Sequence, residues 1–423
     1  MPDRLAIDGG TPVRSAPLLP GWPGGLLIGE EERRAVLDVL DSQSLFRHYG
    51  PHPRHKAAQF EQAFAAAMLT KHALGVTSGT AALITALAAL GIGPGDEVIV
   101  PTYTWIATVS AVLVHGAVPV FVDINESLTM DPGAVEAAIT PQTAAIIPVH
   151  MRGAGADLDP ILALAERRGL AVLEDAAQAV GGRYRGKRLG TLGSFGAYSL
   201  QFHKTITTGE GGMVVTRDTG LFERAVRYHD QGSMRMEELD ELIPAGNPLV
   251  IGVNFRITEL TAAVGLAQLP KMDGIIERMR AHKARIIDGV RDIRGIAIRP
   301  LPDPEGDTGA AFFFSAPRDQ AARFAQSLSA ENVHATVAWA SGQHVYNHFD
   351  QIIERRFLSR RHCAWECPLY KGSATLRKGQ FPRSDDILQR AVHLDVHPLF
   401  TENDVSDIIE AMHKVARALN LLE

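Results

Sequence analysis

Between Leu26 and Thr216 the sequence repeats one pattern: a short unbroken apolar run bounded by turn residues, then a helical stretch, then another run. The runs are Val98-Ile99-Val100, Val118 to Val122, Ala145 to Val149 and Ala171 to Leu173. A strand with one wet face alternates apolar and polar residues, whereas a strand covered on both faces does not. Continuous runs separated by helices therefore predict an α/β protein with a buried, largely parallel sheet. Helices are read where apolar residues recur three and four apart. One carries Ala57, Phe60, Phe64 and Met68. A second runs from Thr80 to Leu90 and ends at Gly91, before the turn Gly93-Pro94-Gly95. Others cover Leu158 to Arg168, with Asp157 placed to cap it, Arg217 to His229, and Thr258 to Leu269.

Pro270 closes the last of these helices, and a charged helix from Met272 to Arg291 reads as a connector. After the turn-rich segment 301–309 comes a smaller α/β pattern. It comprises a strand at Ala311 to Ser315, a helix at Asp319 to Ala330, a strand at Val333 to Val337, and a final helix after Thr401 with Thr401 and Asp404 as a capping pair. The expected organisation is an N-terminal arm (1–29), a large domain (30–270), and a connector with a small C-terminal domain (271–423), which suits a chain of 423 residues.

Charge excludes one class of partner. Lys+Arg is 42 and Asp+Glu 48, a formal net charge of −6, and there is no long basic run, so nucleic acid is not an expected partner. The most apolar stretch, Trp105 to Val122, is broken by His115, Gly116 and Pro119, which reads as helix, turn and strand, not a membrane span. Met1 to Pro20 has no apolar core of a secretory signal. The two cysteines, Cys363 and Cys367, lie beside His362 without a second ligand pair. No metal is expected; reduced thiols and a cytoplasmic location are.

Four features follow one another where strand patterns end, the edge at which open α/β sheets bind ligands. Thr77-Ser78-Gly79-Thr80 precedes a helix, serving either as an ordinary N-cap or as an anion cradle at the positive end of the helix dipole. Pro101-Thr102-Tyr103-Thr104-Trp105 offers an aromatic, either for core packing or for stacking on a flat ring. Glu174-Asp175 puts two carboxylates at the end of a buried strand, where each needs a partner. Such a partner could be helix N–H groups or a protonated heteroaromatic nitrogen. Lys204, between Ser199 and the Gly-rich turn Gly209-Glu210-Gly211-Gly212, is either a solvated lysine or a Schiff-base lysine. Phosphate donors, a stacking aromatic, an acid for a ring nitrogen and an amine for an aldehyde are together the parts a pyridoxal 5′-phosphate (PLP) site requires.

The sequence also resembles a known family. The segments 78–83 (SGTAAL), 93–108 (GPGDEVIVPTYTWIAT), 119–124 (PVFVDI), 148–150 (PVH), 174–179 (EDAAQA), 194–212 (SFGAYSLQFHKTITTGEGG) and 254–269 (NFRITELTAAVGLAQL) resemble, in order, the DegT/DnrJ/EryC1/StrS family of PLP-dependent aminotransferases. The resemblance implies PLP fold type I: a mostly parallel seven-stranded sheet in the large domain, a small C-terminal domain, and a homodimer with shared sites. It implies that Lys204 carries the cofactor, Asp175 partners the pyridine nitrogen, Gln178 lies near the ring hydroxyl and Trp105 stacks on the ring. Ser78, Gly79, Thr80 and Ser199 would contact the phosphate, with Asn254 reaching that of the other subunit. The implied reaction moves an amino group from glutamate or glutamine to a keto sugar or keto cyclitol, in amino-sugar or antibiotic biosynthesis. A dehydratase or aromatising lyase on the same scaffold is the alternative, and a non-catalytic regulator a remote one; related dehydratases carry histidine in place of Lys204. Met151-Arg152-Gly153 departs from the family's usual Leu-Tyr-Gly. Arg152 either meets an acidic substrate or the glutamate donor or forms a structural ion pair, and the segment 343–350 (QHVYNHFD), with His344, Tyr346 and His348, either lines the substrate pocket or packs as a loop.

Overall fold

The computed structural model describes residues 4–21, 23–232, 250–359 and 364–422. His362 and Cys363 lie outside the described residues, and Cys367 is buried. Nine strands precede residue 220: β1 (His72–Val76), β2 (Glu97–Pro101), β3 (Val118–Val122), β4 (Thr143–Ile146), β5 (Ala171–Asp175), the small hairpin β6 (Arg183–Tyr184) and β7 (Lys187–Arg188), β8 (Phe195–Ser199) and β9 (Gly212–Thr216). Seven of them form one sheet in the order β1-β9-β8-β5-β4-β2-β3. Pairing is parallel from β3 through β2, β4 and β5 to β8, while β9 is antiparallel to both β8 and β1.

The unbroken apolar runs have the expected cause. Val98 and Val100 face one packed layer and Ile99 the other, so neither face of β2 meets water. The run expected at Ala145 to Val149 stops pairing early because Pro148 has no N–H to give the ladder. Its carbonyl instead accepts from Asp175 N at 2.9 Å, which ties this turn to the end of β5. β1 escaped the sequence reading because Gly75 interrupts it. A Cβ there would stand 2.7 Å from the Ile257 side chain, and Gly75 N donates to Glu61 Oε1 at 2.8 Å.

The helices Gly79–Leu90, Thr219–His229 and Glu259–Gln268 begin after Ser78, Asp218 and Thr258, each accepting a backbone N–H of the first turn. Asp157 does not cap Leu158–Arg168 with its side chain, because its carboxylate is taken by the Tyr184 hydroxyl at 2.7 Å. Pro270 sits in a single 3-10 turn, Leu269–Lys271, and the helix Met272–Gly289 starts directly after it.

A second sheet contains β10 (Ala297–Ile298), β11 (Ala311–Ser315), β12 (Thr336–Val337) and β13 (Ala391–Asp395), in the order β10-β11-β13-β12. β13, which pairs along the whole of β11, has the alternating pattern of a strand with two unlike faces and was not anticipated. Phe312, Phe314, Val392 and Leu394 pack with the helices Arg318–Ala330 and Glu402–Ala418. Phe313, His393 and Asp395 take the opposite face, where the Phe313 and His393 rings stack at 4.7 Å. Thr401 and Asp404 form the expected reciprocal cap.

The first residues pack on this second sheet. Glu331, fully buried, accepts from Ala6 N and Val13 N at 2.8 Å each and from Lys414 Nζ at 2.8 Å. Further along, a Cβ on Gly21 would lie 2.2 Å from Asp395 Oδ2, so the chain runs hard against the end of β13. Among the described residues no helix is long and apolar enough to cross a membrane.

Candidate active site

Two adjacent carboxylates end β5, and the two-residue period of a strand sends them to opposite faces. Glu174 is fully buried and committed mainly to backbone: Oε2 accepts from Gly190 N at 2.7 Å, and Oε1 from Leu192 N and Gly193 N at 2.7 Å each. His150 completes its shell at 3.0 Å. Because His150 Nδ1 accepts from Ala156 N, the proton is on Nε2 and points at Glu174. Glu174 therefore holds the turn 190–193 in place. Asp175, 5% exposed, has lighter ties: the Thr108 hydroxyl donates to Oδ2 at 2.7 Å and Ala177 N to Oδ1 at 3.1 Å. Burial raises its carboxyl above the usual range, against the hydrogen bonds and the pull of Lys204. A cation brought to this carboxylate relieves that strain.

Lys204 lies on the loop from β8 to β9. The loop is closed by Lys204 N donating to Gln201 O at 3.0 Å and by Thr207 Oγ1 and Thr208 N both reaching Leu200 O at 2.9 Å. From outside, Gly24 N donates to Lys204 O at 3.2 Å. A Cβ on Gly24 would stand 2.9 Å from Ile206 Cα and Thr207 N, so only glycine permits this approach. Burial brings the half-buried ammonium down to about 8, with Asp175 opposing and Arg152 adding to the shift. Among the described residues no side chain hydrogen-bonds it. A lysine with a lowered pKa and no hydrogen-bond partner is a nucleophilic amine in waiting.

Ser78 caps the helix Gly79–Leu90, its Oγ accepting from Ala81 N at 3.0 Å, which leaves the N–H groups of Gly79 and Thr80 ahead of any helical carbonyl. Ser199 closes on this turn: a Cβ on Gly79 would be 2.7 Å from Ser199 Cβ. Trp105 is 45% exposed and touches His344 with ring centroids 4.8 Å apart. His344 Nδ1 donates to Ser341 O, so Nε2 carries a lone pair and accepts from Gln178 Nε2 at 3.2 Å. Burial, then the Arg152 charge, pushes the His344 imidazole down to about 4, so it is neutral at pH 7. Gln178 Oε1 accepts from Arg152 N at 3.3 Å.

The residues expected from sequence thus fall into three groups. Lys204, Asp175, Gln178, His344, Trp105 and Arg152 are linked by direct contacts or felt charges, with Ser78, Gly79, Thr80 and Ser199 forming a cradle. Asn254 is exposed, and among the described residues its Oδ1 accepts from Arg256 N. Tyr346 and His348 are corrections. The Tyr346 ring is fully buried against Phe121 and Phe381 and its hydroxyl accepts from Phe381 N, so it belongs to the packing. His348 turns to Trp339 and Gly342 O. Sequence reading overlooked Thr108, although it closes the segment 93–108, and the Gly24-Gly25 pair, whose only signal was a double glycine. It also overlooked Asp395, which no local pattern ties to Arg152.

The set suits PLP: an N–H-rich cradle, a partly exposed aromatic plate, a carboxylate in want of a cation and an unpaired amine. Comparison with known proteins agrees. The pattern of the DegT/DnrJ/EryC1/StrS aminotransferase family matches residues 27–413. An L-glutamine:2-deoxy-scyllo-inosose aminotransferase from Micromonospora echinospora is 37% identical, over 97% of both chains. The crystal structure of 3-amino-5-hydroxybenzoic acid synthase superposes with a TM-score of 0.77 at 30% identity, covering 96% of this chain and 100% of that one. DesV of S. venezuelae, solved in complex with a ketimine intermediate, gives 0.74 at 34% identity, covering 91% and 94%. Sheet order, site geometry and these likenesses agree, and the chain belongs to the DegT/DnrJ/EryC1/StrS aminotransferase family.

Proposed function

We propose that this aminotransferase takes nitrogen from glutamate or glutamine and gives it to a polyhydroxylated cyclic ketone, a keto sugar or keto cyclitol, using PLP held through Lys204. The carrying observation is the Lys204 amine, lowered to about 8 and within the field of Asp175. PLP, when bound, supplies an electron sink for the carbon that loses its proton. The protein's own residues do the rest. Asp175, steadied by Thr108 and Ala177 N, holds a proton at the ring nitrogen. Ser78, Gly79, Thr80 and Ser199 would hold the phosphate, and Trp105 would offer its face to the ring. Gln178, oriented by Arg152 N and His344, would meet the ring hydroxyl. Lys204 would accept the proton that the substrate carbon releases and hand it on at the reacting centre.

The ketone class rests on likeness to the inosose aminotransferase together with hydrogen-bonding groups near Lys204, for such a site rejects analogues lacking hydroxyls. A homodimer completes the reading. Val250 and Ile251 are 47% and 96% exposed near Asn254, and Leu37, Leu40 and Leu45 are similarly bare, as befits surfaces that meet a second copy.

The test follows labelled nitrogen from glutamine or glutamate into product. Retention of the hydroxyl count with gain of the label supports amino transfer. Loss of water without label supports the lyase reading, which the likeness to a synthase named for an aromatic amine keeps in view.

A further inference from the structure

Arg152 sits at a left-handed backbone position, φ 54°, between β4 and β5, and its side chain crosses to the end of β13. There NH1 meets Asp395 Oδ1 at 3.5 Å, well beyond the length of a tight charge-assisted hydrogen bond. The Arg152 side chain is 24% exposed and the Asp395 side chain 39%, while Arg152 Nε is buried and without a hydrogen bond. The guanidinium charge is felt by Lys204 and His344, and Arg152 N donates to Gln178 Oε1, so the residue borders the site. A loose ion pair, a spare buried donor and a half-solvated carboxylate are the parts of an exchangeable contact.

An amino-transferring site meets two unlike partners in turn. An amino-acid donor brings a carboxylate, whereas a keto cyclitol or an unphosphorylated keto sugar brings no charge. A permanently unpaired guanidinium suits the first and penalises the second, because the incoming neutral molecule strips its water. We propose that Arg152 receives the carboxylate of the amino donor and that Asp395 is its holding partner when a neutral ketone occupies the site. The inference rests on the amino-transfer reading. Donor binding replaces Asp395 by the donor's carboxylate on the guanidinium fork and returns Asp395 to water; donor departure restores the pair. Gly21 supports the arrangement, since a side chain there would collide with Asp395 Oδ2.

The test uses the PLP-loaded enzyme and two readouts. Glutarate, a donor-like dicarboxylate with no amine to react, is titrated by calorimetry. The donor half-reaction with glutamate and glutamine and the acceptor half-reaction with 2-deoxy-scyllo-inosose are followed by absorbance. Arg152→Gln should weaken glutarate and donor binding about tenfold or more, a larger change than it makes to the ketone concentration needed for half-saturation. Arg152→Lys should recover part of the loss, keeping the charge but not the fork. Asp395→Asn should tighten glutarate and raise the concentration of ketone needed for half-saturation. Unchanged glutarate affinity in Arg152→Gln, or weakened glutarate affinity in Asp395→Asn, overturns the proposal, and the glutarate arm decides even where that ketone is not turned over. Absence of both half-reactions in the wild type with glutarate binding intact overturns the amino-transfer reading instead.

Discussion

Thr108 donates its hydroxyl hydrogen to Asp175 Oδ2 across 2.7 Å, and this bond joins the helix that starts after Trp105 to the end of β5. The aromatic plate and the acid are thereby built as one unit. Neighbouring Glu174, with equal charge and deeper burial, is excluded from that unit because three backbone N–H groups consume it.

The two carboxylates should therefore fail differently. Asp175→Asn should leave the melting temperature nearly unchanged and lower kcat by about a hundredfold or more, the scale of a lost acid–base partner. Thr108→Val should give a smaller loss of kcat. Glu174→Gln should unfold at lower temperature, by about 2 kcal/mol or more, since an amide cannot accept all of those bonds. Thermal unfolding and turnover measured on the same preparations check the contrast; an active Asp175→Asn enzyme overturns it.

Lys204 makes a prediction about pH. Its ordinary value is 10.5 and folding brings it to about 8, so between these pH values the unfolded chain holds the additional proton. Stability from this group therefore rises with pH across that window, and below about 8 the folded state carries the full penalty of the charge. In cofactor-free protein, Lys204→Met should raise the melting temperature at pH 7, and the gain should shrink as pH climbs from 8 to 10.5. Melting curves of both proteins across that range are the check; a gain independent of pH contradicts it.

Gly24 should matter to chemistry as well as to packing. Gly24→Ala would force a methyl group to within 2.9 Å of the backbone at Ile206 and Thr207, at a cost of about 1–3 kcal/mol. Lys204 labelling by an amine-reactive probe, followed against pH in cofactor-free protein, should be half-maximal near 8 in the wild type and displaced in the variant. A stability loss without displacement would make Gly24 a packing residue only.

Glu331→Ala should release the first residues of the chain. It strands buried Lys414 and two backbone donors, a loss of about 3–5 kcal/mol. Amide exchange should quicken at Ala6 and Val13, and unchanged protection there would contradict the assignment.

What the sequence disclosed and what it hid divide along one line. Lys204, Asp175 and the Ser78-Gly79-Thr80 turn are legible because each sits inside a short segment whose glycines and strand ends are local signals. The alternation of strands and helices is legible for the same reason, since burial on both faces writes itself into every run. Contacts made across the fold leave no such mark. Nothing beside Arg152 announces Asp395, and nothing in the pattern around Tyr346 separates a pocket wall from a core ring. Asp157 had the right residue at the right place for a cap, yet Tyr184, far along the chain, claimed its carboxylate. β13 was missed because one of its faces carries His393 and Asp395, which dilute the apolar signal of Val392 and Leu394.

The hydrogen bond from Gly24 to the Lys204 carbonyl has one more consequence. The leading segment also leans on Glu331 and Asp395, so the reactive loop is braced by a stretch of chain far from it in sequence. Wrapping of that segment would then help to set the readiness of the amine. A protease cut between residues 14 and 24 should be read out at the lysine, as lost reactivity.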